Sequence, residues 1–187
     1  MRDVSADLVT RVETNPSLTD DDIDSFWIAY DEAFAPIRGK NPCRQHFHEA
    51  EFVASMRDTE FIKLVGYEVD RMVFFAMGTE NLDKIPWIYR EFYDERFPEF
   101  IGSRFYVPVI YIPLTLQGLR YSDQLLRAIQ AYMRRHRLQM VLYDHGSAPP
   151  NSELTRIILR VPGTQLVGDG PIGAQLYRAV LTTLTEE

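Results

Sequence analysis

"IPLTLQGLRYSDQLL" (Ile112–Leu126) joins an apolar run to a helical pattern through a short link that contains one glycine, Gly118. A turn between a strand and a helix presents backbone N–H groups at the positive end of the helix, and such a site suits a phosphate. Many strand-to-helix turns bind nothing, so the link by itself leaves two readings open, an anion cradle or a plain turn. The flanks say more. Upstream, "RFYVPVIYIPL" (Arg104–Leu114) is the strongest strand of the chain, apolar on both faces and so expected at the centre of a sheet. Pro108 within it has no N–H to give to a ladder, which predicts a bulge or a place where pairing opens. Downstream, Leu125, Leu126, Ile129, Tyr132 and Met133 mark one face of a helix from about Ser122 to His136. Arg134, Arg135, His136 and Arg137 complement the dipole at its end.

Further out, the chain alternates between the two periodicities. Leu8, Val9 and Val12 suggest a short first strand, closed by "NPSLT". Ile23, Phe26, Trp27, Tyr30 and Phe34 then recur at steps of three and four, one face of a helix that starts in the acidic run Asp20, Asp21, Asp22 and Asp24 with Thr19 as its cap. "APIRGKNP" breaks that helix, and a second is expected from about Pro42 to Met56. "EFIKLVGYE" and "DRMVFFAMGT", with a bend near Asp70, read as a hairpin. After the central strand and its helix come a strand, "LQMVLYDHG", a helix over Asn151 to Val161, a short strand in "PGTQLVGDGPIG" and a last one in "AQLYRAVLTTL". Asn81 to Gly102 interrupts this alternation. Its window from Trp87 to Tyr106 holds eight of the chain's 23 aromatic residues, a density that suits a packed flap of one or two short helices rather than a linker.

With 187 residues, 45% of them hydrophobic and 25% charged, the chain is expected to form one domain, residues 1–187, that carries this aromatic-rich insertion at about 81–102. A net charge of −7 argues against a nucleic-acid surface. One cysteine, Cys43, excludes an internal disulfide and a multi-cysteine zinc site. Neither a signal-peptide core nor a membrane-spanning apolar run is present, so a cytoplasmic protein without membrane attachment is expected.

The order of elements, with "IPLTLQGLRYSDQLL" after the central strand, resembles the GNAT superfamily of acyl-CoA-dependent N-acyltransferases. The family's signature there is Gln or Arg, a variable residue or Gly, a variable residue, Gly, a variable residue, and Gly or Ala. Gln117, Gly118, Leu119, Arg120, Tyr121 and Ser122 occupy the six places, with Arg120 where the family has glycine. "FAPIRGKNPCRQHFHEAEF" followed by "IPWIYREFYDERFPEF" is, more specifically, similar to a group of actinobacterial GNAT proteins of mostly undefined substrate. The resemblance implies an α/β fold: a mixed, mostly antiparallel sheet flanked by helices on both faces and splayed between the central strand and the next. Acetyl-CoA or another acyl-CoA would lie in the splay as cosubstrate, against Ile112, Leu114, Gln117, Gly118, Leu119, Arg120, Tyr121, Ser122 and Asn151. The Arg120 guanidinium would either pair with a coenzyme phosphate or fill the site.

Acyl transfer to an amine requires a base for the amine, polarisation of the thioester carbonyl and an acid for the departing thiolate. The family's usual carboxylate on the central strand is missing, because Arg104 to Leu114 contains no Asp or Glu. Its usual tyrosine, seven residues after Asn151, is replaced by Ile158. Asp144 and His145, at the end of the following strand, are the candidate bases, and Tyr111, Tyr121 and Tyr143 the candidate acids. His48 and Glu51 on the second helix, with Trp87 and Tyr89 of the aromatic segment, are candidate contacts to the acceptor. His46 and His48 fall on different helical faces, which argues against a zinc site, and no metal is expected. The function that the resemblance implies is acyl transfer from acetyl-CoA or another acyl-CoA to a small-molecule amine, with an exposed share of the aromatic segment available to a homodimer. The alternative is a non-acetylating GNAT-fold protein whose cleft binds another small molecule or serves an interaction.

Overall fold

The computed structural model of the chain describes residues 10–38, 44, 46–116, 119–146, 152–172 and 175–182. Seven strands form one sheet: β1 (Thr10–Thr14), β2 (Phe61–Glu68), β3 (Arg71–Thr79), β4 (Arg104–Tyr111), β5 (Met140–Gly146), β6 (Thr164–Ile172) and β7 (Gln175–Thr182). Their spatial order is β1-β2-β3-β4-β5-β7-β6, so β4 is central. Every neighbouring pair is antiparallel except β4 and β5, which are parallel.

Among the described residues five α-helices flank the sheet: α1 (Asp20–Arg38), α2 (Glu49–Arg57), α3 (Arg90–Arg96), α4 (Leu119–His136) and α5 (Ser152–Ile158). Thr19 caps α1 as its sequence predicts: its Oγ1 accepts the Asp22 N–H at 3.2 Å while Asp22 accepts the Thr19 N–H at 2.8 Å. On one sheet face Ile23, Phe26 and Tyr30 of α1 and Phe52 and Met56 of α2 bury against Phe61, Phe75, Tyr106 and Leu142. On the other, Leu125, Ile129 and Met133 of α4 and Ile158 of α5 bury against Phe74, Phe105, Val107 and Tyr143. The inserted segment covers the first face. Leu82, Ile85, Tyr93 and Phe97 join its core, while Tyr89, Phe92 and Ile101 stay exposed.

Three expectations change. The second helix begins at Glu49 rather than near Pro42, with Glu51 accepting the N–H of the capping residue His48 at 2.9 Å. α4 starts at Leu119, three residues ahead of Ser122. "PGTQLVGDGPIG" supplies a nine-residue strand, β6, which keeps its pairing with β7 through a bulge between Leu166 and Gly168. Among the described residues no helix is long and apolar enough to cross a membrane.

Candidate active site

Two irregularities of the central strand create the site. Met77 pairs with Val109 and Thr79 with Tyr106, so Gly78 faces both Val107 and Pro108. This is the bulge that Pro108 predicts. On the other edge, β4 and β5 pair only through Arg104–Met140, Phe105–Val141 and Tyr106–Leu142. Beyond those pairs no ladder joins the two strands, and the unpaired stretch between them is termed the wedge.

Alternation along β5 puts Asp144 on the same face as Met140 and Leu142, two residues past the last pair. Tyr106, fully buried at the root of the wedge, donates its hydroxyl proton to Asp144 Oδ2. The indole N–H of Trp87 reaches the same oxygen at 3.2 Å. Asp144 is half-buried as a residue, yet its Oδ1 is sealed from solvent and has no hydrogen-bond partner among the described residues. Burial raises its carboxyl above the usual range and outweighs the hydrogen bonds from Tyr106 and Trp87, which act in the opposite sense. The Tyr106 phenol is pushed well up by burial, then by the neighbouring Asp144 charge. A carboxylate that central β4 lacks is thus supplied to it by β5.

The remaining candidates do not converge on this point. Tyr111 shares its face but packs tilted against Phe75 at 5.9 Å between ring centroids, toward α1. Tyr143 lies on the opposite face, where its hydroxyl donates to Thr155 of α5 at 3.1 Å. There it lines a narrow cleft of about 30 Å³ with Val107, Leu126, Met133, Val141 and Ile158, on the α4 side of the wedge. Ile112 is half-buried against that second core. Tyr121 donates to Glu68 at 2.9 Å, and the Arg120 guanidinium pairs with the same carboxylate at 3.1 Å. Ser122 lies in the first turn of α4. The side chains of Leu114, Leu119 and His145, together with Gln117, Gly118 and Asn151, lie outside the described residues.

Of the acceptor candidates, Trp87 reaches the wedge and Tyr89, 82% exposed, points to solvent. Glu51 is engaged by Arg44 at 2.5 Å as well as by the His48 backbone, while the His48 side chain is exposed. The rings of His46 and His48 stand 5.8 Å apart, edge to face. Among the described residues no three His, Cys, Asp or Glu side chains converge as metal ligands.

Two contributors escaped the sequence reading. Tyr106 was hidden in an apolar strand, although a buried phenol needs an acceptor and Asp144 is the only carboxylate of β5. Arg104, 4% exposed, opens β4 and holds the insertion: it pairs with Asp94 at 2.6 Å and donates to the Phe97 carbonyl at 2.7 Å. A charged residue at the head of an apolar strand was the available signal.

The central bulge, the wedge between parallel β4 and β5, and helices on both faces make this a GNAT-like fold, matched by solved acetyltransferase structures. Salmonella typhimurium yncA, solved with its cofactor acetyl-CoA, aligns with TM-score 0.64 and 13% identity over 95% of both chains. The aminoglycoside 6'-N-acetyltransferase from Enterococcus faecium aligns at 0.63 and 8% identity, over 95% of this chain and 98% of its own. FeeM, an N-acyl amino acid synthase from uncultured soil microbes, aligns at 0.60 and 10% identity, over 91% of each. At such identities the likeness shows the fold alone. No family model and no curated protein matches the sequence.

Proposed function

We propose that the protein is an acyl-CoA-dependent N-acyltransferase, acetyl-CoA being the first donor to test, that acts on a small-molecule amine. The observation that carries this reading is the buried Asp144 carboxylate, held two residues past the last β4–β5 pair. The wedge fits an acyl-CoA in three respects. The edge of β4 beyond Tyr106 has no ladder to β5 and offers backbone groups to an extended amide chain. α4 begins at Leu119, so the positive end of its dipole lies at the segment that follows β4, where a pyrophosphate suits it. The cleft under the wedge is apolar.

When bound, the coenzyme supplies an acyl group activated as a thioester. The proton that the attacking nitrogen loses as the amide forms goes to the departing thiolate, and the chain's own residues prepare the amine. Asp144, with its carboxyl pKa raised by burial, takes a proton from the acceptor's ammonium group, leaving a neutral amine to attack. Tyr106 and Trp87 fix the carboxylate through Oδ2. Trp87 and the buried share of the insertion wall off the acceptor side from water.

A second reading, a GNAT-fold protein that binds another small molecule without transferring an acyl group, is favoured by Arg120 in the family's glycine position and by Ile158 in its tyrosine position. Turnover separates the two. Free thiol released from acetyl-CoA in the presence of a panel of small amines supports the enzyme if Asp144→Asn lowers it at least a hundredfold. Release that is unaffected by that substitution removes Asp144 from the chemistry, and no release with any amine favours the second reading.

A further inference from the structure

Both donors that reach Asp144 converge on one of its two oxygens. The Tyr106 hydroxyl and the Trp87 indole N–H donate to Oδ2, whereas Oδ1 accepts nothing among the described residues. Trp87 Nε1 also lies 3.3 Å from the Tyr106 hydroxyl, closing a triangle in which one corner comes from β4, one from β5 and one from the inserted segment. Two donors occupy the lone pairs of Oδ2, so an incoming proton goes to Oδ1. We infer that Trp87 and Tyr106 are positioning residues that lock Asp144 by Oδ2 and assign proton uptake to Oδ1, which makes the aromatic insertion part of the acid–base apparatus. The use made of that proton rests on the acyltransferase reading; the lock is a property of the protein alone.

The surroundings agree with this division of labour. No cation among the described residues acts on the carboxylate. Arg104, on the same face of β4, is taken by Asp94 and the Phe97 carbonyl, and Arg178 of β7 acts on Tyr143. Tyr93 of α3 acts on Tyr106, and Phe47 meets the Trp87 ring edge-on at 4.9 Å. Without a countercharge, burial governs Asp144, and the two donors are what keeps its proton affinity from rising further.

The chain has two tryptophans, so its indole N–H spectrum has two signals. Protein labelled with 15N-tryptophan and 13C-aspartate is titrated with pH, the indole signals being assigned by Trp27→Phe. Asp144 is expected to titrate above the ordinary aspartate value of ~3.9, the Trp87 indole signal to move with the same midpoint, and that of Trp27 to stay still. Asp144→Asn should abolish the indole titration. Trp87→Phe and Tyr106→Phe, each short of one donor, should raise the carboxyl midpoint by about one pH unit. The acid limb of kcat/KM should move with it, which loss of structural support alone would not produce. A Trp87 signal that stays flat while Asp144 titrates in the unaltered protein overturns the lock, as do unmoved midpoints in both variants. A lock seen by NMR without acylation of any amine upholds this inference and removes only the acyltransferase reading.

Discussion

The Arg120 guanidinium stands 3.1 Å from the Glu68 carboxylate, which also accepts the Tyr121 hydroxyl at 2.9 Å. The residue that stands where the resemblance places the GNAT signature's glycine is therefore drawn toward the end of β2. Arg120 is half-exposed, and such a pair contributes at most ~1 kcal/mol, which makes it a weak latch. Glu68→Gln should free the guanidinium for a coenzyme phosphate and tighten CoA binding about two- to fivefold at low salt, the gain fading as salt rises. Calorimetry of the two proteins checks this, and weaker binding by the variant would show that Arg120 blocks the site when released.

The Asp94–Arg104 pair ties the insertion to the root of β4. Asp94→Asn leaves a buried guanidinium with a neutral partner and should lower stability by about 2–3 kcal/mol in urea unfolding. A change below about 0.5 kcal/mol, the ordinary range for a surface site, would mean that the pair does not hold the segment.

Gly78 faces the bulge of β4, and a β-carbon there would come within 2.3 Å of the Phe105 ring. The ring is fully buried and has no room to retreat. Gly78→Ala should cost about 1–3 kcal/mol and disturb the register on which the wedge depends. An unchanged urea midpoint would contradict that packing.

Asp144 also predicts how stability depends on pH. Its folded pKa is raised above the unfolded value, so its contribution is fully present below that value and is lost as pH rises through the raised one. Asparagine carries no such loss and can still accept from Tyr106 and Trp87. Asp144→Asn should match the parent in acid and exceed it at pH 7 by a few degrees in Tm, roughly 2–4 °C, while losing activity. Thermal unfolding of both proteins from pH 3 to 8 tests this, and a parent more stable than the variant at pH 7 would contradict it.

These relationships differ in how far the sequence discloses them. The central place of β4, its bulge at Pro108 and the cap at Thr19 follow from local chemistry: apolarity on two faces, a missing N–H and a hydroxyl before an acidic turn. The extent of β6 did not, because the glycines and proline of "VGDGPIG" read as breakers where a bulge absorbs the irregularity. Asp144 was singled out by its place at a strand end, but its partners were not. Tyr106 is 38 residues away and Trp87 is 57, and they meet it only because β4 and β5 pair in parallel and the insertion folds back over them. Tyr111 and Tyr143 show the same limit from the other side. Both belong to strands near the wedge, yet one turns toward α1 and the other toward α5, a difference set by the bulge and by strand alternation.

Calorimetric titration of the protein with acetyl-CoA and with free CoA tests the central claim most directly, using Ser122→Trp as the companion variant. Saturable binding of one coenzyme per chain, lost when tryptophan occupies the first turn of α4 in a protein with an unchanged unfolding midpoint, is the predicted result. No binding at millimolar coenzyme, or equal affinity in the variant, would contradict an acyl-CoA in the β4–β5 wedge.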